Sequence, residues 1–297
     1  MLKSEPFHRP VILVTGANGQ LANELQILSP DYPSYHFLFT SKDELPIENE
    51  GLVNAFFTKH SISYCINCAA YTAVDKAESE SEKAFLINAK AVGGLAEICR
   101  DHHSQLIHIS TDYVYDGSAE IPLKEDGAVA PLNMYGLSKL KGEELALNKN
   151  SSSLIIRTSW VYSSFGNNFV KTMLRLFNEK SEIKVINDQH GSPTYAADLA
   201  KVIMRFIARM EQNESFSGIV NYCNSGVTTW YDFAQEIKLL TNSNCIIHPT
   251  STASYKTAAK RPLYSVLDTS KIRNWLQLDI PFWKKSLKEC VQILMEK

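Results

Sequence analysis

The chain has 297 residues, enough for one or two domains with a sizeable core. Its 30 basic and 32 acidic residues leave a formal charge of -2 and are interspersed, so no basic stripe offers itself to nucleic acid. No run approaches the roughly 18 apolar residues of a membrane span, and Val11 to Val14, behind Lys3 and Arg9, is too short for an export signal core. A small-molecule partner and a cytoplasmic location are expected.

The first apolar run, Val11 to Thr15, ends in Gly16-Ala17-Asn18-Gly19-Gln20-Leu21-Ala22, and Asn23 to Leu28 follow at helical spacing. Strand, glycine turn and helix in that order suit a pyrophosphate: Gly16 permits a tight turn, Gly19 a close backbone approach, and a small residue at 22 lets helix meet sheet. The spacing is G-x-x-G-x-x-A rather than G-x-G-x-x-G, so the turn alone is a weak signal. The alternation continues with strand 35–40, helix 49–59, strand 64–69, a long helix 80–102, strand 105–109, helix 133–148 and strand 153–157. Such alternation predicts an α/β fold, a Rossmann-like doubly wound parallel sheet with helices on both faces.

The second strand ends in Phe39-Thr40-Ser41-Lys42, where an NAD-preferring enzyme usually carries an acid for the ribose 2'-hydroxyl. Lys42 suits a 2'-phosphate, which leans toward NADPH with NADH as the alternative; as a solvated loop charge it would carry no meaning. Beyond Arg157 the order loosens into helix 169–177, strand 183–186, helix 196–210, a segment 218–222, helix 229–240, a strand 245–248 and a last helix 281–296. The division expected is a dinucleotide-binding domain over 1–160 and a smaller C-terminal α/β substrate-binding lobe over 161–297, with a return to the first near 183–215.

Ligands of such sheets sit at the carboxyl ends of strands. Four informative stretches fall there: Gly16 to Leu21, Ala69 to Asp75, Ser110 to Asp116 and Thr158 to Tyr162. Thr111 ends an apolar strand, and Tyr135 and Lys139 lie four apart in a helix, one turn apart on one face. A hydroxyl, a phenol and an ammonium so placed suit hydride chemistry on a carbonyl, where alkoxide charge develops and needs a positioned acid. Of six cysteines, Cys65 and Cys68 have redox spacing, but strand alternation sends them to opposite faces, so the set reads as reduced core thiols.

The stretches TGANGQLA (15–22), CAAYTAVDKAE (68–78), STDYVYDG (110–117), PLNMYGLSK (131–139), RTSWVY (157–162), NNFVKTMLR (167–175), INDQHGSPT (186–194), TTWYDFA (228–234) and RPLYSVLD (261–268) occur in this order. Together they resemble the extended short-chain dehydrogenases/reductases, and more narrowly the dTDP-4-dehydrorhamnose reductase family. The resemblance implies NAD(P)H-dependent reduction of the C4 ketone of dTDP-4-dehydro-L-rhamnose. It implies Tyr135 as proton donor, Lys139 binding the nicotinamide ribose and acidifying Tyr135, and Thr111 on the substrate oxygen. It further implies Gly16, Asn18, Gly19, Gln20, Leu21, Ala70, Tyr71 and Thr72 beside the cofactor, and Asp112, Trp160 and Arg261 as substrate contacts. Arg261 is the candidate for the diphosphate, against a surface pair with Asp268. The partners implied are a dTDP-sugar and, at most, a second copy of the chain.

Two positions depart from the pattern. Pro46 stands where the family often has an acid near the adenine, and Ala197 replaces one carboxylate of an intersubunit metal site, so no metal is expected. A 4,6-dehydratase needs an Asp-Glu pair after the threonine, and here Asp112 is followed by Tyr113. Another nucleotide-sugar 4-ketoreductase, an epimerase, or a non-catalytic dinucleotide-binding regulatory subunit remain the alternatives.

Overall fold

Strand β1 (Val11–Thr15) shows why the central sheet reads as unbroken apolar runs. Ile12 and Val14 face one core while Val11 and Leu13 face another, so alternate polar residues have no place in it. The computed structural model describes residues 9–296; the earlier part of the N-terminal stretch, including Lys3, lies outside the described residues.

From β1 the chain runs through α1 (Gln20–Leu28), β2 (His36–Thr40), α2 (Glu50–His60), β3 (Ile62–Asn67), α3 (Val74–Ala77), α4 (Ser81–Phe85), α5 (Ala91–Asp101), β4 (Gln105–Thr111), α6 (Met134–Lys149) and β5 (Leu154–Thr158). It continues through β6 (Val161–Tyr162), α7 (Phe169–Glu179), β7 (Glu182–Ile186), β8 (His190–Gly191), β9 (Thr194–Tyr195), α8 (Ala196–Met210) and β10 (Gly218–Asn221). The last elements are β11 (Thr228–Thr229), α9 (Trp230–Leu240), β12 (Ile246–Thr250), α10 (Ser270–Leu276) and α11 (Trp283–Met295). None of these helices is long and apolar enough to cross a membrane.

Strands β10-β5-β4-β3-β1-β2 form one sheet, and every pairing in it is parallel. The chain leaves β1 for β2 on one side and comes back to β3 on the other, so the strand order reverses between β1 and β3. The crevice outside the carboxyl ends at such a reversal is the ligand site of open α/β sheets. Helices α1, α8 and α10 bury their apolar stripes on one face of the sheet. Helices α2, α5 and α6 cover the other. A separate core joins Tyr162, α7, β7, Tyr195, α9, β12 and α11.

The chain re-enters the sheet layer with α8, inside the stretch 183–215 where a return was expected. Ile183, Val185 and Tyr195 belong to the separate core, whereas α8, Val220, Tyr222 and then Ile272 to Ile280 pack on the sheet. The turn of α10 carries Lys271, Arg273 and Asn274 among its seven residues, which hides its two buried positions from a periodicity reading. Cys65 lies in the core under α5, and Cys68 packs against the opposite one, as alternation required.

The long helix expected over 80–102 is interrupted. A π-helical turn, Leu86–Lys90, separates α4 from α5 and turns Asn88 inward. The buried Asn88 side chain accepts from Tyr71 N at 2.8 Å and donates to Tyr71 O and to Ser138 Oγ, both at 3.0 Å. The backbone carbonyl of Asn88 faces Gly142 of α6, where an added Cβ would stand 2.0 Å from the oxygen. Gly142→Ala must push α6 away from the π turn, and overpacking of this kind costs about 1–3 kcal/mol. Urea denaturation should show a loss in that range; an unchanged midpoint would contradict the tight contact.

Candidate active site

The glycine turn is built as the sequence requires. Gly16 has φ of +69°, and a Cβ on it would stand 2.8 Å from Ala69 N, so the β1 exit and the β3 exit touch at the strand-order reversal. Gly19 caps α1 without offering a side chain to the helix N–H groups. Those donors point outward at a helix N-terminus, which suits a pyrophosphate and fits a dinucleotide.

Over the rim lies a cavity of about 940 Å³. From the expected cofactor set, Gly16, Asn18, Gly19, Gln20 and Leu21 line it together with Ala70 and Thr72. From the reaction set, Thr111, Asp112, Tyr135, Lys139 and Trp160 line it. Two of the expected residues stand elsewhere. The Tyr71 ring packs with Ala77 and Ala84 beneath α6, and its phenol bonds Glu80 at 3.2 Å, because Asn88 holds its backbone and turns the side chain away. Arg261 is not on the cavity wall: its guanidinium meets Asp75 in a two-point pair at 2.7 and 3.2 Å, and not Asp268. Lys42 lines the cavity, with its ammonium 3.7 Å from Glu48.

The reacting groups converge through local backbone logic. Asn133 caps α6 by accepting from Gly136 N at 2.8 Å and ties that end down by donating to Lys260 O at 2.7 Å. Gly136 lets α6 press against the Tyr113 carbonyl, 2.2 Å from where a Cβ would be, which brings Tyr135 to the end of β4. Thr111 accepts from Tyr113 N at 3.2 Å and donates to Asp112 Oδ1 at 3.1 Å. The Tyr113 ring meets the Tyr135 ring edge-on, 5.8 Å between centroids.

Burial dominates the electrostatics. It pushes the Tyr135 phenol up to about 12, assisted by the Asp112 charge and opposed by a hydrogen bond with Thr111. It pushes the Lys139 ammonium down to about 8, against the pull of Glu143 and Cys68. Asp112 is pushed up to about 7 by burial, with the Ser265 hydroxyl and then the Thr111 hydroxyl opposing. Its Oδ2 is buried without a hydrogen-bond partner among the described residues.

Trp230 was not legible as a site residue. It lines the cavity and stacks on Trp160 with ring centroids 3.6 Å apart and planes 10° apart, and its indole N–H donates to Gln189 Oε1 at 3.2 Å. Trp160 sits at φ of +49°, strained for a bulky side chain. The packing that holds it includes Gly191, where a Cβ would be 2.5 Å from the Trp160 ring. The TTWYDFA stretch contains Trp230, but nothing in it brings that residue to one 70 positions earlier.

With this geometry in place, comparison with known proteins is direct. Residues 10–296 match the RmlD substrate binding domain family. The chain belongs to that family. It is 39% identical over 285 residues to a dTDP-4-dehydrorhamnose reductase of Aggregatibacter actinomycetemcomitans, covering 93% of this chain and 97% of the relative. It is 38% identical over 280 residues, 93% of each chain, to a Streptomyces antibioticus protein named a probable dTDP-4,6-dihydroxy-2-methyloxan-3-one 4-ketoreductase. Among solved structures it is similar to a Bacillus anthracis dTDP-4-dehydrorhamnose reductase in complex with NADP, with 37% identity, a TM-score of 0.91 and coverage of 96% and 99%. Family membership and fold thus agree with the extended reductase architecture.

Asp112 gives this site a pH signature. Its folded value lies above the ordinary carboxylate range, so the folded state holds that proton more tightly than the unfolded chain does. Its contribution to stability is complete below about pH 4 and is lost as the pH rises through about 7. The difference in melting temperature between Asp112→Asn and the parent should therefore grow in favour of the variant across that window. A difference that stays constant with pH would show that Asp112 ionises normally.

Proposed function

We propose that this chain reduces the C4 ketone of dTDP-4-dehydro-L-rhamnose to the alcohol, using NADPH. The observation that carries the reading is the meeting of Thr111, Tyr135 and Lys139 on the wall of one cavity that also contains the uncapped start of α1. A bound reduced nicotinamide supplies the hydride. Tyr135 gives its phenolic proton to the C4 oxygen, and the Thr111 hydroxyl steadies that oxygen as charge develops on it. Lys139, one turn along α6, orients the cofactor ribose and stabilises the tyrosinate left behind. The Trp160–Trp230 stack offers an apolar wall for the sugar, and residues 1–160 together with the returning α8 and β10 serve the dinucleotide while the separate core carries the sugar side.

The cavity wall also argues against elimination. Tyr113, not a second acid, follows Asp112 and is held edge-on against Tyr135, and the other carboxylate on the wall, Glu48, sits 3.7 Å from the Lys42 ammonium instead. A different dTDP-linked 4-keto sugar is the second reading, favoured by the name of the Streptomyces relative.

Loss of reduced-nicotinamide absorbance on mixing protein, NADPH and dTDP-4-dehydro-L-rhamnose tests the reaction, and cofactor binding without turnover would sink it. Tyr135→Phe should lower kcat by at least about 100-fold, the contribution of a positioned general acid, while cofactor affinity stays near normal; near-normal turnover would remove Tyr135 from that role. For cofactor choice, Lys42→Ala should raise KM for NADPH about tenfold and leave NADH unchanged, the size expected of one charge-assisted contact. Equal effects on both cofactors would make Lys42 a bystander.

A further inference from the structure

Lys139 is held from below as well as from its own helix. Its Nζ donates to Ile109 O at 2.6 Å and lies 3.2 Å from His108 Nε2. His108 Nδ1 in turn lies 3.0 Å from the side-chain nitrogen of Asn67. Asn67 Oδ1 accepts from the Thr15 hydroxyl at 2.7 Å and from Ala69 N at 3.2 Å. Thr15, Asn67 and His108 are register neighbours on β1, β3 and β4, and all three are buried. A row of polar side chains thus crosses three strands beneath the cavity floor and ends on the ammonium.

Only one of the two proton arrangements open to this row serves a charged lysine. With Asn67 donating to Nδ1, a neutral imidazole carries its proton on Nε2 and faces a charged Lys139 donor to donor. A charged Lys139 instead needs the proton on Nδ1, with the Asn67 amide turned so that its oxygen accepts. Thr15 tolerates the turn because a hydroxyl either donates or accepts, and Ala69 N already lies 3.3 Å from Thr15 Oγ1. A cationic His108 is disfavoured, since burial and then the Lys139 charge hold it well below its usual value.

We propose that His108 is a positioning residue for Lys139, a neutral imidazole whose Nε2 accepts one ammonium proton and thereby fixes the head group and supports its charge, with Asn67 setting the tautomer. The inference deepens the reductase reading and rests on it, because the charge of Lys139 matters to turnover only if Tyr135 and Lys139 act as described. The other ionisable groups around Lys139 are Tyr135 and Glu143 on α6, Cys68 beyond β3 and Asp112 beyond β4, with Arg157 of β5 behind Glu143. Glu143 favours the charged lysine, Arg157 offsets Glu143, burial holds Cys68 as a neutral thiol, and burial likewise opposes the lysine charge. Removing the His108 acceptor tips this balance toward the neutral amine.

The test compares the parent with His108→Leu and His108→Gln by two readouts. One is the titration of the Lys139 ε-carbon by NMR of ¹³C-lysine-labelled protein, assigned with Lys139→Arg; the other is the pH profile of kcat. In His108→Leu, Lys139 should bind its proton about tenfold less tightly, the loss expected for one hydrogen bond to a charged group, and the alkaline fall of kcat should move to lower pH in step. His108→Gln, which keeps an acceptor, should restore both toward the parent. An unmoved lysine titration, or a lower kcat with an unmoved alkaline limb, would assign His108 to packing alone and overturn the proposal. Should His108→Leu fail to fold, ¹⁵N shifts of the parent imidazole decide: a neutral ring protonated on Nδ1 near pH 7 is expected, and one protonated on Nε2 overturns it. Absence of turnover by the parent would fail the reductase reading, while the lysine titration would still decide the role of His108.

Discussion

A buried ion pair sets the placement of the reacting residues. Arg157 of β5 meets Glu143 of α6 through Nη2 at 2.7 Å and Nε at 3.0 Å, with both side chains almost fully enclosed. Ser110 of β4 donates to the same carboxylate, and Arg157 reaches on to the Tyr115 phenol at 2.7 Å, which in turn donates to Lys124 O at 2.8 Å. Burying two charges costs several kcal/mol per ion and is recovered only when geometry and hydrogen bonds are well matched. The pair is thus a poor source of net stability and a strong source of register. Glu143 lies one helical turn beyond Lys139 and two beyond Tyr135, so tying it to β4 and β5 fixes the rotation of α6 and leaves both residues facing the rim beside Thr111.

The sheet makes that rotation useful. Parallel strands bring their carboxyl ends to one side, and the reversal between β1 and β3 opens the crevice in which the glycine turn lies. The register pairs Thr15 with Asn67, Asn67 with His108, and Thr111 with Thr158, so a row of polar residues runs along a sheet whose interior is apolar. Each of these polar side chains is buried and has a partner: Thr15, Asn67 and His108 bond one another, Thr158 donates to Thr194, and Thr111 bonds Asp112 and Tyr113 N. Phosphate end, reaction centre and lysine support are thereby parts of one rim.

Much of this was legible in the chain. Both-faced apolar strands announced the sheet, the glycines at 16 and 19 announced the tight turn that opens α1 at the rim, and a Tyr–Lys spacing of four announced the shared helix face. What escaped reading depends on contacts between distant residues. The π turn at Leu86–Lys90 follows from Asn88 reaching Tyr71 and Ser138, partners 17 and 50 positions away. Tyr71 was read from its stretch and lies outside the cavity for the same reason. Arg261, expected at the diphosphate with a pair to Asp268 as the alternative, pairs with Asp75, 186 positions earlier. Trp230 reaches Trp160 only because the separate core folds back over the rim and Gly191 leaves room for the ring. Local spacing reports which face a residue shares with its neighbours, and it carries no signal for which distant loop that face will meet.

Burial explains why the inner end of this cavity suits reduction. Enclosure favours the neutral form of every ionisable group: it keeps the Tyr135 proton on, keeps that of Asp112 on up to about pH 7, and loosens that of Lys139. A ketone reductase needs its acid loaded before hydride arrives, and a phenol pushed up to about 12 is loaded throughout the neutral range. The same enclosure would make that phenol a reluctant donor if nothing else changed. In the proposed reaction hydride from a bound nicotinamide would change it, because an alkoxide with high proton affinity would then appear at the substrate. In the proposed reaction the nearby ammonium, supported by Glu143 and His108, would stabilise a tyrosinate that did not exist in the ground state. Stabilisation confined to the charge that develops during reaction lowers the barrier, whereas equal stabilisation before and after would only tighten binding.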